Sequence, residues 1–224
     1  MNIRKSLFGY EGQGLPLSVL KGWWQALEKY SSDPEIDEAP WAFNERASIS
    51  MLAAGCWLAG GVALEEYSTD KNHPDRRVKA GRTGRGDLFL RVGSKEFACE
   101  AKPHDLPLPM PGKSLSVESF ASLKADYLKS VGDASLVYSD DGKPTALLFV
   151  SVYHEGEKLG RNGRVGVDAL LSELKAKRKI LGASQMAWYF RKDWIGKPNS
   201  ESARGLPLRE MGTVLFVGNP KKHR

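Results

Sequence analysis

Cysteine is nearly absent from this chain of 224 residues: Cys56 and Cys99 are the two copies, and both lie in apolar runs. That usage excludes a disulfide framework and a cysteine-rich zinc site, and it fits reduced core thiols in a cytosolic, hence cytoplasmic, protein. Histidine is equally scarce, with four copies and no ligand spacing among them. No apolar run is long enough to span a bilayer, so no membrane partner is expected. Met1 to Tyr10 lacks the apolar stretch of a secretory signal. Internal repeats and low-complexity tracts are missing too.

Positive charge, by contrast, is in excess. The formal charge is +6 at pH 7 and the isoelectric point is near 9.2. A polyanionic partner suits such a chain, which is a statement about association and not about fold. The length suits a single domain. Within it, 1–40 reads as an N-terminal accessory helix and linker, 42–152 as the core that bears the motif, and 153–224 as a C-terminal helix and strands.

The first 16 residues are glycine-rich and read as a loop or a loosely held edge. Ser18 is expected to cap a helix reaching about Tyr30, with Leu20, Trp23, Trp24 and Leu27 at helical spacing. A linker follows, Ser31 to Pro40. A second helix is predicted from about Ala42 to Gly60, carrying Glu45, Ile49, Leu52 and Cys56 on one face. Val62 to Tyr67 reads as a strand. Lys71 to Arg85 reads as a flexible cationic loop holding six basic residues and three turn-formers. After a turn-rich connection, Ser116 caps a helix to about Val131, with Phe120, Leu123, Tyr127 and Val131 on one face. Thr145 to Tyr153 is apolar enough for the middle of a covered sheet. An amphipathic helix bearing Val167, Leu170, Leu171, Leu174 and Leu181 comes next, with Lys175, Lys177, Arg178 and Lys179 outward. Gln185–Arg191 and Thr213–Val217 read as strands. Between them Arg191, Lys192, Trp194 and Lys197 form a basic and aromatic loop that suits nucleic acid.

The stretch from Gly86 to Pro103 organises the rest. It reads as two short strands, Gly86–Val92 and Glu96–Pro103, joined by a tight Gly93-Ser94-Lys95 turn. Period-two alternation puts Phe97, Cys99 and Ala101 on one face of the second strand, and Ala98, Glu100 and Lys102 on the other. Asp87 opens the first strand, so its carboxylate can reach Glu100 across the pair. An Asp, a Glu and a Lys converging at the end of a hairpin suit Mg²⁺ held beside a phosphate. The rival reading is a set of solvated charges on an exposed hairpin face.

Asp87 followed by Glu100-Ala101-Lys102 resembles the catalytic motif of the PD-(D/E)xK nuclease superfamily, with Gly86 where the motif has Pro. The resemblance implies a restriction-endonuclease-like fold, α/β with a central mixed sheet flanked by helices and an α-β-β-β-α-β core. It also implies a Mg²⁺- or Mn²⁺-dependent phosphodiester hydrolase. Asp87 and Glu100 would hold the metal together with the Ala101 carbonyl, and Lys102 would act on the water and the transition state. Glu45 matches the acidic residue that the family often carries on the preceding helix. A Glu in a first helical turn is equally accounted for by the helix dipole. Arg76, Arg77, Lys79, Arg82 and Arg85 would grip the nucleic-acid backbone. DNA is the expected partner, with RNA and a second copy of the chain as further candidates.

Competing motifs are weaker. Pro74-Asp75 is a literal Pro-Asp but leads into charged residues and not into a strand. The glycines at 81, 84 and 86 do not fit a dinucleotide fingerprint. A second Glu-x-Lys, Glu173-Leu174-Lys175, lies in a helical pattern. The helix after the motif carries Leu123-x-x-x-Tyr127 where one subgroup of the family has Gln-x-x-x-Tyr. Two functional rivals stand beside the nuclease: a catalytically inactive nucleic-acid-binding module on the same fold, and a protein-interaction domain.

Overall fold

A computed structural model describes residues 6–33, 35–36, 38–71, 82–110, 112–137, 142–155, 162–191, 200–201 and 207–220; within these, the side chains of Asp70, Arg82, Thr83, Asn162, Ser200, Glu201, Pro207 and Leu208 fall outside the description. The strands are β1 (Ser6–Gly12), β2 (Val62–Lys71), β3 (Arg82–Val92), β4 (Lys95–Pro107), β5 (Lys143–Glu155), β6 (Gln185–Arg191), β7 (Ser200–Glu201) and β8 (Pro207–Gly218). The helices are α1 (Leu17–Ser31), α2 (Pro40–Phe43), α3 (Glu45–Leu58), α4 (Val117–Ala134) and α5 (Asn162–Leu181).

Seven strands form one mixed sheet in the order β1-β6-β8-β5-β4-β3-β2, and β7 pairs with β8. β4 and β5 run parallel, joined through α4, as a parallel pair requires a crossover. The other neighbours are antiparallel.

Alternation along the strands splits the core into two layers, one on each face. Phe97, Cys99 and Ala101 of β4 and Leu147 and Phe149 of β5 pack with α1 and α3. Leu106, Leu148, Val150 and Val152 pack on the opposite face with α4 and α5. The molecule is thus α/β, a mixed sheet flanked by helices. Among the described residues no helix is long and apolar enough to cross a membrane.

Helix α1 is built into this core: Val19, Leu20, Trp23 and Leu27 are buried against α3 residues Ile49, Leu52 and Cys56. The two helices touch backbone to backbone. A Cβ on Gly22 would collide with the Gly55 carbonyl, and one on Gly55 with the backbone of Trp23.

The structure moves several expected boundaries. Residues 6–12 form an edge strand paired with β6, in place of a loop. α1 starts at Leu17 after Pro16 with no side-chain cap, so Ser18 lies inside it. The helix expected from Ala42 to Gly60 is two helices, because Asn44 is extended (φ −170°) and its Oδ1 accepts the Ala47 N–H at 3.0 Å. Glu45 is therefore the first residue of α3. The supposed loop 71–85 has strand at both ends: β2 and β3 pair as far as Lys71↔Arg82. The chain reversal is a two-residue turn, Gly93-Ser94, with Val92 opposite Lys95 and Gly93 at φ +59°. Such a turn fits the strand twist and demands glycine at its first position.

Three of the four basic residues expected to face outward on α5 are engaged. Lys175 Nζ sits 4.4 Å from the Trp188 ring centre. Lys177 Nζ lies 4.3 Å from that of Phe120. Arg178 donates to the Ser184 carbonyl and to Glu11. The long stems cover apolar surface while the charges find rings and oxygens.

Two alanine substitutions separate helix propensity from packing. Gly132→Ala, in α4 with open space at its Cβ, is expected to raise stability by about 0.5–1 kcal/mol. Gly55→Ala gains the same propensity yet is expected to lose about 1–3 kcal/mol net through overpacking. Urea melts check both; equal shifts of the same sign would rule out the backbone contact.

Candidate active site

The site sits where the sheet forks. The β3–β4 ladder runs from Val92↔Lys95 to Leu88↔Cys99. Beyond that point β4 continues along β5 while β3 continues along β2. The next outward N–H on β4 belongs to Ala101, and the Asp87 carboxylate accepts it at 2.8 Å. A side chain thus replaces the lost strand partner, as a buried backbone donor requires.

Lys102 is half-buried. Its Nζ is 2.9 Å from Asp133 Oδ2 on α4 and donates to the Ala101 carbonyl at 2.9 Å. Burial by itself would lower the Lys102 pKa. The Asp133 hydrogen bond and charge, with Glu45 and Asp87 behind them, outweigh burial and raise it. The group is a firmly held ammonium.

Glu100 is 4% exposed. Lys71 Nζ lies 2.7 Å from its Oε1. Burial pushes the Glu100 carboxyl up to about 7, against the opposing pull of Lys71 and with added repulsion from Asp87 and Asp133. Desolvation here outweighs the ion pair. Glu45, half-buried at the head of α3, is also raised, first by burial and then by Asp87. Cys99, wholly buried beside this cluster, is held protonated above the usual thiol range, by burial first and then by Glu100 and Asp87. Both cysteines are free thiols.

A cleft of about 340 Å³ opens beside the fork, lined by Glu45, Arg46, Glu65, Glu66, Arg85 and Asp87 over Ile49. Glu45 and Asp87 face it; Glu100 and Lys102 are absent from its lining. Of the residues singled out in the sequence, Asp87 lies close enough for its charge to act on Glu45, Glu100 and Lys102, and Glu45 and Lys102 act on each other. The Ala101 carbonyl faces the same fork, bonded to Lys102. Arg85 lies on β3, 3.3 Å from Glu66. Arg82 is opposite Lys71 in the β2–β3 ladder. Arg76, Arg77, Lys79, Pro74-Asp75, Lys192, Trp194 and Lys197 lie outside the described residues.

Two partners escaped the sequence reading, Lys71 and Asp133. A third contact is Ser130, whose hydroxyl lies 2.8 Å from the Glu100 carbonyl and 2.9 Å from that of Leu147. His104 Nδ1 pairs with Asp126 at 2.9 Å. Asp126, Ser130 and Asp133 follow helical spacing along α4, and that periodicity was a signal that they share one face.

The donors are hard oxygens, the kind that magnesium prefers. Among the described residues no group of three or more His, Cys, Asp or Glu is placed to hold a metal ion. Magnesium is usually held by one or two carboxylates together with substrate phosphate and water, and Asp87 with Glu100 supplies that number. No family model, curated protein or solved structure matches the chain.

The Glu100 shift has a definite sign. In metal-free protein the folded state holds this proton up to about pH 7, whereas the unfolded chain releases it near 4.5. Stability contributed by the retained proton is present at low pH and lost as pH rises through that window. Thermal melts in chelator should show wild type losing stability from about pH 4.5 to about 7 relative to Glu100→Gln. Parallel curves would exclude the shift.

Proposed function

We propose that the chain is a metal-dependent nuclease that hydrolyses phosphodiester bonds of DNA on a restriction-endonuclease-like fold. One observation carries the reading: Asp87, at the fork between β3 and β4, lies close enough for its charge to act on Glu100 and Lys102 of β4 and on Glu45 of α3. The order α3-β2-β3-β4-α4-β5 agrees with the α-β-β-β-α-β core that the motif implies.

Asp87, Glu100 and the Ala101 carbonyl would hold Mg²⁺ or Mn²⁺, with Glu45 at the edge. The bound ion would supply polarisation of the phosphate and a lowered pKa for its water. The protein does the rest by position and charge. Asp87 is fixed through one carboxylate oxygen by the Ala101 N–H. Lys102 carries a raised pKa and so serves as a cation that stabilises developing negative charge, in preference to acting as a base. Asp133 orients it. Arg76, Arg77, Lys79, Arg82 and Arg85 would contact the phosphate backbone.

The catalytically inactive nucleic-acid-binding module has its own supporting observation. Glu100 is already answered by Lys71 and Lys102 by Asp133, so the charges balance in pairs without an ion.

Incubation with plasmid, single-stranded DNA and RNA, in Mg²⁺, Mn²⁺ or EDTA, distinguishes these readings and names the nucleic acid. Wild type should cleave DNA in metal, and Lys102→Ala should lose at least about a hundredfold in rate. Cleavage by Lys102→Ala at the wild-type rate would remove this lysine from the chemistry. Binding without cleavage in either metal would select the inactive module.

Neutralising Arg76, Arg77, Arg82 and Arg85 together should flatten the salt dependence of DNA affinity by about one logarithmic unit of slope per lost phosphate contact. An unchanged slope would take this segment out of the interface.

A further inference from the structure

At the mouth of the cleft two arginines converge on a single carboxylate. Arg46 Nη2 lies 2.7 Å from Glu66 Oε1. Arg85 Nη1 lies 3.3 Å from Glu66 Oε2. The guanidinium groups come from different elements, the first turn of α3 and the first half of β3. Each takes one oxygen of the same anion.

Glu66 reaches this place in an unusual way. It is the one non-glycine residue with positive φ among those described, at +50°. That left-handed conformation is disfavoured for a side chain with a Cβ. It falls where the β2–β3 ladder lacks a pair, between Glu65↔Leu88 and Tyr67↔Gly86, opposite Asp87. The irregularity aims the carboxylate at both arginines.

These pairs are weak enough to exchange. The side chains of Arg46 and Arg85 are 69% and 62% exposed, and that of Glu66 is 37% exposed. Ion pairs so open to water contribute little to stability. A phosphate offers more acceptor oxygens than a carboxylate, and guanidinium groups recognise it by paired hydrogen bonds. Glu45 and Asp87 line the same cleft, so an anion on Arg46 and Arg85 would sit beside the proposed reaction centre.

We infer that Arg46 and Arg85 form a phosphate clamp and that Glu66 is its internal placeholder, a carboxylate that occupies the clamp until a phosphate displaces it. The inference deepens the nuclease reading by naming the groups that receive the substrate phosphate. Glu66 thereby also screens the clamp, so that loose anions compete with a tethered one.

The test measures binding in EDTA, where cleavage does not intervene, with a short labelled duplex DNA and with inorganic tripolyphosphate. Glu66→Gln keeps the shape and removes the charge. It should tighten binding of both probes by about fivefold to tenfold at low salt. Arg46→Gln and Arg85→Gln should each weaken binding. In the Arg46→Gln, Arg85→Gln double variant, Glu66→Gln should have no effect. Glu96→Gln removes the same charge from the exposed Arg91–Glu96 pair on β3–β4 and should leave both affinities unchanged. Equal tightening by Glu96→Gln, tightening that survives loss of both arginines, or no change with Glu66→Gln would overturn the clamp. Tripolyphosphate binding that responds to Glu66→Gln, with no duplex binding in any variant, would keep the clamp and remove the nucleic-acid reading.

Discussion

The hydrogen bond from the Ala101 N–H to Asp87 is the hinge on which the local architecture turns. A sheet cannot fork in its interior without leaving backbone groups unpaired. Asp87 supplies the missing acceptor, and the fork becomes affordable. Its carboxylate is then fixed at the opening on Ala101, one residue from Glu100 and one from Lys102. The β2–β3 arm swings away from β4, and Lys71 at the end of β2 bridges to Val137, just past α4. From there its ammonium reaches the Glu100 carboxylate. Asp87 thus helps to build the sheet as well as the site.

The charges of this region are arranged as a ledger of local pairs: Lys71 with Glu100, Lys102 with Asp133, and Arg46 and Arg85 with Glu66. Each of these charges thus has an internal partner in the folded protein. Any added ion or anion must compete with a group already present. Strong binding would come from what the internal partners lack, a second positive charge on one atom or several oxygens on one centre.

Much of this was legible in the sequence, for physical reasons. The alternation over Glu96–Pro103 assigned Phe97, Cys99 and Ala101 to one face because a strand has period two, and these three share a core layer. The continuous apolar run of β5 identified a strand covered on both sides. The turn at Gly93 was marked by its residue type. Other features were hidden. The outer end of β2, Ser68 to Lys71, is polar and ends in Asp70-Lys71, so its pairing with β3 followed from tertiary context. The break at Asn44 was masked by good helix formers on both sides. Lys71 and Asp133 were unreadable as partners because Glu100 and Lys102 meet them only after the sheet forks and α4 crosses over. The basic row on α5 carried no mark distinguishing a lysine over a tryptophan ring from one in water.

The meeting of Gly22 with Gly55 has a mechanical consequence. Most helix pairs are separated by side chains that repack and absorb small displacements. Here two main chains bear directly on one another, so a push on α1 passes to α3 without cushioning. Glu45 and Arg46 are the leading residues of α3, and they face the cleft. The N-terminal helix thus bears, main chain on main chain, on the helix whose first residues wall the candidate site.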